Sequence, residues 1–557
     1  MTDQSPPRGR LAARRWWSID PSGAVAGLLL AALAVTPSLL PRPALLQCVI
    51  AAVAFGIGYA VASGAAFVVS RLTGRRFLRS TRRFWALYGV FWLAGIGILS
   101  TLAFSWQNEV RRMVQMPPLP GTGVLDFLTG FAPLVLLFLA AGKGVAGLFR
   151  LAKRRVGRPL ALVATVGALV LALAGLVVGV LRVVDGIYAE RNGRPAASVT
   201  EPASTYRSAG TGSAIAWSTL GRHGGNFVGG GPDAAEIAAL TGLPAQQPIR
   251  VYAGLASAPT IAERARLVVA ELERTGAFQR SVLVVATATG SGWLEPQTMD
   301  AIEFLHAGDT AVASMQYAYT PSWVSFVFDP DAPVEASRVL FEAVEARWRT
   351  LPADSRPALI SYGLSLGAHG SQALFDDVAA VRARTDGALF VGSPNGSPLW
   401  RGLQASRDAG TPAWQPVLDD GREVRWMSAD GDQHRPTAAW SGPRMLYLQH
   451  ATDPVTWLGP ELLWRSPEWL ERDQRASDIS DSMVWIPLIT GVQVTIDMLG
   501  GEAVPARHGH NFGDVVLPGW REVTGDAGLD DAALARVQQR IEAMAAIPVY
   551  PDPVVHE

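Results

Sequence analysis

Five apolar stretches in the first third of the chain limit what this sequence can fold into. Each is long enough to cross the hydrocarbon core of a bilayer, which takes about 20 mostly apolar residues in a helix. They run over 22–40, 44–69, 84–105, 124–149 and 159–184. We therefore expect an α-helical transmembrane domain of about five spans. The first is the least regular, because it contains Pro37, and Ala32-Leu33-Ala34 also matches a signal-peptide cleavage site.

The basic residues predict the orientation of these spans, because Lys and Arg collect in the cytoplasmic loops of membrane proteins. Three segments are basic: the N-terminal tail (Arg8, Arg10, Arg14, Arg15), the 71–83 loop (Arg71, Arg75, Arg76, Arg79, Arg82, Arg83) and the 150–158 loop (Arg150, Lys153, Arg154, Arg155, Arg158). The intervening loops carry only Arg42, and Arg111 with Arg112. With an odd number of spans, residues 185–557 lie outside the cytoplasm, in a multi-pass protein of the cell membrane.

The two parts of the chain differ in charge. Residues 1–184 contain 20 Lys and Arg against four acids, and residues 185–557 contain 28 against 44. An acidic domain repels phosphate backbones, so the lipid bilayer is an expected partner and nucleic acid is not. The single cysteine, Cys48, excludes an intrachain disulfide and a Cys metal site, and we expect neither a metal nor another cofactor.

The pattern changes after the apolar stretches. We predict a transmembrane helical domain over 1–190, a linker rich in Ser, Gly and Thr over 191–214, and a catalytic domain over 215–557. In the last, short β-rich runs (249–252, 281–286, 358–362, 388–391, 445–448) alternate with helical stretches such as 261–275 and 335–350. This alternation predicts a mostly parallel sheet with helices on both faces. Such sheets carry function at the carboxyl ends of their strands.

A candidate nucleophile lies at one of these strand ends. Gly363-Leu364-Ser365-Leu366-Gly367 directly follows the strand at 358–362 and precedes a run of small residues. This is the pattern of a nucleophile elbow, in which a sharp strand-to-helix turn exposes the serine hydroxyl. A glycine-rich turn without chemistry is the alternative interpretation. The flanking strand and small residues favour a catalytic Ser365 in an α/β-hydrolase-type domain.

A serine nucleophile needs a base and an orienting acid, and in this fold the acid precedes the histidine along the chain. Asp453, just past a strand end, is the predicted acid. Asp430 is the rival, and a helix cap or turn is the alternative role for an aspartate here. The late loop with His508 and His510 supplies the base. We predict His510, because Gly509 gives the loop freedom before it, and His508 is then a loop or neighbouring histidine.

Acyl chemistry also needs hydrogen-bond donors for the oxyanion. One predicted donor is the backbone N–H of Leu366. The other is expected in the glycine-containing loop after the strand at 281–286, at Thr289 and Gly290, for which an ordinary glycine turn is the alternative. Five aromatic residues are candidates for the walls of the site, although each is individually more typical of core packing: Trp293, Tyr317, Tyr319, Trp323 and Trp400.

The sequence resembles a family of bacterial α/β-hydrolase membrane proteins with a helical N-terminal membrane domain and a C-terminal catalytic domain. The likeness runs over nearly the whole chain and is carried by the motifs WSTLGRHGGNFV (Trp217–Val228), TATGSGW (Thr287–Trp293), QYAYTPSWVSF (Gln316–Phe326), YGLSLGAHGS (Tyr362–Ser371), GSPNGSPLW (Gly392–Trp400) and PARHGHNF (Pro505–Phe512). The family usually has Gly-Arg in place of Gly224-Gly225, and Ser and Leu in place of Ala318 and Thr320. The resemblance implies a serine hydrolase at the membrane with His510 as base, and it does not name the substrate.

We therefore predict a membrane-anchored serine hydrolase that cleaves an acyl ester of a small molecule or lipid through a Ser-Asp-His triad and an acyl-enzyme. An acyltransferase acting on an envelope lipid or sugar uses the same acyl-enzyme and stays open, as does a peptidase. A non-catalytic membrane receptor or scaffold with a hydrolase fold is the alternative from another class. The complete set of Ser, Asp and His in the expected order argues against it.

Overall fold

The computed structural model describes residues 19–546 except 76–77, 122 and 195–198. The predicted basic residues Arg8, Arg10, Arg14, Arg15 and Arg76 lie outside the described residues. The described chain forms two compact units. The first comprises the residues up to Thr36 together with Pro43–Ser105 and Pro120–Gly147, and the second comprises Pro37–Arg42, Trp106–Leu119 and the chain from Leu148 onward.

Five helices cover the apolar stretches: α1 (Pro21–Leu33), α2 (Ala44–Thr73), α3 (Arg82–Met113), α4 (Gly123–Val156) and α5 (Arg158–Asn192). Among the described residues, α2 to α5 are the four helices long and apolar enough to cross a membrane. Helix α1 has 13 residues, which extend about 20 Å at a rise of about 1.5 Å per residue, less than a hydrocarbon core of about 30 Å. The stretch predicted as a first span over 22–40 is thus shorter as a helix, because Pro37 and the prolines after it cannot continue one.

The first unit has its own apolar core. Helix α1 packs against α2, and the buried residues of this core are Ala31, Cys48, Ala51, Ala52, Phe55 and Phe131. Many exposed side chains are apolar along α3 and α4, as in Leu93 and Leu137, and along α5 of the second unit, as in Leu171. Exposed apolar surface of this extent is typical of helices that face lipid.

The second unit contains seven strands: β1 (Ile249–Ala253), β2 (Val282–Thr287), β3 (Thr310–Met315), β4 (Ala358–Leu364), β5 (Gly387–Val391), β6 (Val424–Met427) and β7 (Arg444–Leu448). Its helices after α5 are α6 (Gly221–Gly229), α7 (Ala234–Thr241), α8 (Ile261–Thr275), α9 (Pro296–Leu305), α10 (Ser322–Phe328), α11 (Asp331–Trp348), α12 (Leu366–Gln372), α13 (Val378–Arg384), α14 (Pro398–Ala405), α15 (Pro454–Trp457), α16 (Ile489–Asp497), α17 (Val516–Thr524) and α18 (Asp531–Ala545). Short 3₁₀ helices lie at Trp217–Thr219, Ala277–Gln279, Asp419–Gly421, Asp432–His434, Pro460–Leu463, Glu468–Leu470 and Met498–Gly500.

The seven strands form one sheet in the order β1-β3-β2-β4-β5-β7-β6, and every pairing is parallel. The strands are buried along nearly their whole length, as the apolar runs predict for a sheet covered on both faces. Helices α8, α11 and α12 pack together as one group, and α9, α17 and α18 pack together as another. The predicted parallel α/β domain is therefore present.

The segment predicted as a linker over 191–214 is partly folded into this unit. Arg207 and Ser208 are buried. The backbone N–H of Ser208 donates to the carbonyl of Arg250 at 3.0 Å, so this segment runs beside β1. Arg207 also donates to the carbonyl of Val228 at 2.8 Å. The polar composition of the segment thus reflects hydrogen bonding at the sheet edge as well as exposure.

Candidate active site

Ser365 occupies the sharp turn between β4 and α12. Its backbone has φ 57° and ψ −123°, a conformation that non-glycine residues rarely adopt and that strains the chain. Its N–H donates to the carbonyl of Val391, the last residue of β5, at 2.8 Å. Gly367 makes the turn possible, because a Cβ there would lie 2.2 Å from the carbonyl oxygen of Thr287. The sequence pattern of the elbow is therefore realised as a strained turn against β2 and β5.

The register of the sheet brings four strand ends to one edge. Gly363 of β4 lies opposite Thr287 at the end of β2, and Val391 of β5 lies opposite Leu448 at the end of β7. Because β2, β4, β5 and β7 are consecutive neighbours, the loops after them meet at this edge. These loops carry the predicted oxyanion residues, the predicted nucleophile and the predicted acid.

Asp453 follows β7 and is completely buried. It is the N-cap of α15, where Oδ1 accepts from the backbone N–H of Val455 at 2.8 Å. Its other oxygen, Oδ2, accepts from Thr456 Oγ1 at 3.3 Å and faces His510 Nδ1 at 2.8 Å. The helix-cap role considered for this residue is therefore present, and it fixes the carboxylate in a position to orient the histidine.

His510 is 4% exposed and its Nδ1 is paired with Asp453. Because a carboxylate can only accept, Nδ1 carries the proton and Nε2 is the acceptor. Nε2 is buried and has no hydrogen-bond partner among the described residues. Burial lowers the pKa of His510, but the attraction and hydrogen bond of Asp453, with smaller contributions from Glu502 and Glu295, outweigh it and raise the pKa above its ordinary value.

The elbow and the histidine meet at the end of β5. Ser365 donates its N–H to Val391, and the next residue, Gly392, lies against the imidazole of His510. A Cβ at Gly392 would lie 2.3 Å from Cε1 and 2.7 Å from Nδ1 of His510. At the end of β5, Val391 therefore contacts the turn that carries Ser365, and its neighbour Gly392 contacts the His510 ring.

The two rivals from the sequence lie elsewhere. His508 is buried, with Nδ1 at 3.5 Å from Asp478 Oδ2, and neither ring nitrogen forms a hydrogen bond within the described chain. Asp430 follows β6 at the edge of the sheet, is exposed, and accepts from Gln433 Nε2 at 3.1 Å. Among the predicted alternatives, Asp453 and His510 are the pair that the structure brings together.

Two further carboxyl groups act on the histidine, and neither was expected from the sequence. Glu295 is 3% exposed at the start of α9, where it accepts from Gln297 Nε2 at 2.7 Å and from Thr298 Oγ1. Burial raises the pKa of Glu295 to about 7, while the Thr298 hydrogen bond and His510 oppose the rise. Removal from water likewise raises the pKa of Glu502. The only sequence signal for Glu295 was its position just after the TATGSGW loop.

The predicted oxyanion donors differ in whether their N–H groups already donate to another acceptor. Leu366 is the first residue of α12, where a backbone N–H has no intrahelical acceptor. The N–H of Thr289 donates to the carbonyl of Trp293 at 3.0 Å. The N–H of Gly290 points to Ser322 Oγ at 3.3 Å, a long hydrogen bond. The Thr289 hydroxyl forms no hydrogen bond within the described part of the chain, so this loop retains a side-chain donor as well.

A small cavity of about 30 Å³ opens beside Ser365. Apart from Ser365 and Leu366, its walls are mainly apolar and include Trp323, Phe326, Leu458 and Met498. Of the five aromatic residues considered from the sequence, Trp323 lines the cavity and is 44% exposed. Trp293 and Trp400 are core residues, Tyr317 packs against the core, and the Tyr319 hydroxyl donates to Asp185. Met498 and Leu458 carried no sequence signal.

Two family models match the chain. The one described as the alpha/beta-hydrolase family matches residues 249–537, more than half of the 557 residues, and the one described as the N-terminus of that family matches residues 35–232. The chain belongs to the alpha/beta-hydrolase family. The family match includes Ser365, Asp453 and His510 within its bounds. Membership supports a hydrolase, as the resemblance in sequence implies.

Comparisons with curated proteins and with solved structures give no further information on the activity. No curated protein matches the chain. Among solved structures, it is similar to Trichoderma reesei cutinase in complex with a C11Y4 phosphonate inhibitor, at 12% identity and a TM-score of 0.20, over 48% of this chain and 90% of that chain. At that score the likeness has no bearing on the activity of this member of the alpha/beta-hydrolase family.

Proposed function

We propose that the chain is a membrane-anchored serine esterase in which Ser365 is the nucleophile, His510 the general base and Asp453 the orienting acid. The observation that carries this proposal is the buried 2.8 Å pair of His510 Nδ1 and Asp453 Oδ2, next to the strained turn of Ser365. A serine at its ordinary pKa is a poor nucleophile, so it requires a neutral imidazole nitrogen held beside it. The Nε2 atom of His510, which has no partner within the described chain, fits that role.

The reaction proceeds in two acyl transfers. The Ser365 hydroxyl passes its proton to His510 Nε2 as its oxygen bonds to the acyl carbon of the ester. The tetrahedral intermediate then loses the alcohol, which takes the proton from Nε2 and leaves an acyl-enzyme. Water then donates a proton to Nε2 as its oxygen bonds to the acyl carbon. The Ser365 oxygen leaves and takes that proton back from Nε2, which releases the carboxylic acid and restores the free enzyme. The buried carboxylate of Asp453 stabilises the imidazolium formed in each half.

The developing oxyanion needs donors on the side of the acyl carbon away from His510. The Leu366 N–H is one proposed donor. The loop after β2 supplies the other, from the weakly bonded N–H of Gly290 or from the Thr289 hydroxyl, because the Thr289 N–H is already bonded to Trp293. The Leu366 N–H is fixed by the backbone before substrate arrives, so this donor stabilises charge without reorganisation.

The walls of the cavity favour an ester with an apolar acyl group. Trp323, Phe326, Leu458 and Met498 offer apolar surface next to Ser365 and no charged group to bind a polar acyl chain. Burying apolar surface is worth about 25 cal/mol per Å². Trp323 is partly exposed, so its ring can cover an acyl chain longer than the cavity itself holds.

The four long helices are proposed to anchor the chain in a membrane. Each crossing reverses the side, so Pro37–Arg42, Trp106–Leu119 and the chain after α5 fall on one side. The basic loops at 71–83 and 150–158 fall on the other side, which the positive-inside rule assigns to the cytoplasm. The catalytic part then lies outside the cytoplasm whether or not α1 spans the membrane.

Contacts between segments on the proposed outer side support this topology. The N–H of Arg42 donates to Gln107 Oε1 at 3.1 Å. Ser480 Oγ donates to Glu109 Oε1 at 2.6 Å. Segments held in direct contact must lie on the same side of a membrane, and an even number of crossings separates each pair in the proposed arrangement.

The test is turnover of p-nitrophenyl esters by the full chain in detergent. The series runs from acetyl to octanoyl, with the matching anilide as an amide substrate. Ser365→Ala should abolish turnover. Ser371→Ala is the matched control, because Ser371 lies on α12 and its hydroxyl bonds to the carbonyl of Ala368 at 3.4 Å. Equal ester turnover by the wild type and Ser365→Ala would remove the basis of the proposal.

A further inference from the structure

The short segment Pro37–Arg42, between α1 and α2, is buried in the second unit. Ser38, Leu39 and Leu40 are each 1% exposed and Arg42 is 3% exposed. Leu39 and Leu40 belong to the same apolar core as the sheet. Connecting segments normally lie on the surface, so the burial of this one calls for a physical role.

Asp497, the last residue of α16, holds this segment. Its Oδ1 pairs with Arg42 Nε at 2.6 Å, and its Oδ2 accepts from the backbone N–H of Leu39 at 3.2 Å and from the Ser38 hydroxyl. The Asp497 and Arg42 side chains are 0% and 2% exposed. A buried carboxylate is tolerated only when it is paired and hydrogen-bonded. Asp497 therefore depends on Pro37–Arg42 to keep its position.

The residues that follow Asp497 reach the active site. Met498, next in the chain, lines the cavity beside Ser365. Gly501 accepts the backbone N–H of His510 at 2.7 Å. Asp497 therefore fixes the start of the segment 498–501. This segment lines the cavity at Met498 and holds the backbone of His510 at Gly501.

A second contact reaches the same loop directly. A Cβ at Gly509 would lie 3.2 Å from Leu40 Cδ1, so the Leu40 side chain packs against the residue before His510. Gly509 is also held by its N–H to Thr452 Oγ1 at 2.9 Å and by its carbonyl to His450 Nδ1 at 3.0 Å. Leu40 is thus one of the neighbours that enclose this glycine, together with Gly501 and Val504.

We propose that Pro37–Arg42 is a positioning element of the active site and that Arg42 is its main positioning residue. The inference rests on the proposed esterase function. Arg42 holds Asp497, and through it the cavity wall at Met498 and the anchor of His510 at Gly501. Arg42 touches neither the substrate nor the reacting atoms. This role also explains why Arg42 lies in a loop on the proposed outer side, where the positive-inside rule does not favour arginine.

The experiment compares variants of the full chain in detergent by kcat/KM for acetyl and octanoyl p-nitrophenyl esters and by melting temperature. Arg42→Met should lower kcat/KM by about 100-fold, the scale of a misplacement of about 1 Å, and should lower it more for the octanoyl ester because Met498 moves. Arg42→Lys keeps the charge and should recover most of the loss. Ser38→Ala removes one hydrogen bond to Asp497 and should give a smaller change in the same direction.

Arg384→Met is the matched control. Arg384 pairs with Glu345 at 2.6 Å and precedes β5, at the end of the sheet away from Ser365. It should lower the melting temperature and leave the ratio of octanoyl to acetyl kcat/KM unchanged, because a loss of folded protein affects both esters equally.

The outcomes separate the two proposals. The positioning role is overturned if Arg42→Met keeps the wild-type kcat/KM per folded molecule and the wild-type ratio of octanoyl to acetyl kcat/KM. If Arg42→Met does not fold, Ser38→Ala decides, and an unchanged ratio and kcat/KM in that variant overturn it as well. A wild-type chain with no esterase activity overturns the proposed function, and this inference with it.

Discussion

His510 Nδ1 lies 2.8 Å from Asp453 Oδ2, with the two side chains 4% and 0% exposed. The pair is shielded from water, so its attraction is screened much less than that of a surface ion pair. Asp453 is itself held by the N–H of Val455. The imidazole is therefore fixed at its Nδ1 edge, and Nε2 is the atom left for chemistry.

The first prediction separates the two neighbouring histidines. His510→Gln should lower kcat by about 10³-fold or more, because general-base catalysis typically contributes 10²- to 10⁴-fold. His508→Gln should keep activity near that of the wild type, since His508 Nδ1 lies 3.5 Å from Asp478 and neither ring nitrogen forms a hydrogen bond within the described chain. Both are measured by ester turnover on chains of matched melting temperature. Loss of turnover in His508→Gln alone would reverse the assignment of the base.

The second prediction concerns pH. The base must be neutral to accept a proton, and the pKa of His510 is raised above its ordinary value of 6.5. The pH profile of kcat/KM should therefore have a rising limb centred above pH 6.5. Glu295 contributes to that rise. Glu295→Gln keeps one acceptor oxygen, for either Gln297 or Thr298. It also removes the negative charge, so the rising part of the pH profile should move to lower pH.

The control for this shift is Glu342→Gln, on the exposed face of α11, which should leave the profile in place. A limb that moves to higher pH in Glu295→Gln would contradict the electrostatic account, because removal of a nearby carboxylate cannot favour the charged imidazole.

These residues also mark what could be predicted from the sequence. The elbow at Ser365 and five of the strands followed from local patterns of apolar and small residues. The order of acid and histidine followed from the fold that the elbow indicates. Strand β3 (TAVASM) was missed because Ala, Ser and Met carry little β-propensity, and β6 because it has four residues. Short runs of this kind lack a periodic signal.

Contacts between distant residues could not be predicted in this way. Arg42 and Asp497 are 455 residues apart, and no local pattern relates them. The influence of Glu295 on His510 likewise depends on how α9 packs under the sheet edge. The first apolar stretch was predicted as a span from its composition, whereas its prolines limit the helix to Pro21–Leu33. A hydropathy average depends on how many residues are apolar, and it does not show where a proline ends the helix.

The third prediction tests the acyl-binding wall. Trp323→Ala should lower kcat/KM for octanoyl esters by roughly tenfold, the equivalent of about two buried methylene groups at about 0.8 kcal/mol each, and should change acetyl ester turnover little. Trp464→Ala is the matched control, because Trp464 is exposed and does not line the cavity. An equal loss for both esters in Trp323→Ala would contradict the role of Trp323 in binding the acyl chain.

The fourth prediction tests the topology. In a Cys48→Ser background, Ser355→Cys introduces an exposed thiol before β4, and Ser80→Cys introduces one in the exposed loop between α2 and α3. A membrane-impermeant maleimide should label Ser355→Cys on intact spheroplasts and Ser80→Cys only after permeabilisation. The opposite labelling pattern would place the catalytic part in the cytoplasm.

Mass mapping of a fluorophosphonate adduct on the full chain in detergent tests most directly whether Ser365 is the nucleophile. We expect one adduct, on the peptide that contains Ser365, because the elbow and His510 activate that hydroxyl. Labelling should fall sharply in His510→Gln and persist in His508→Gln. A label that stays at full strength in Ser365→Ala would contradict the assignment of Ser365 as the nucleophile.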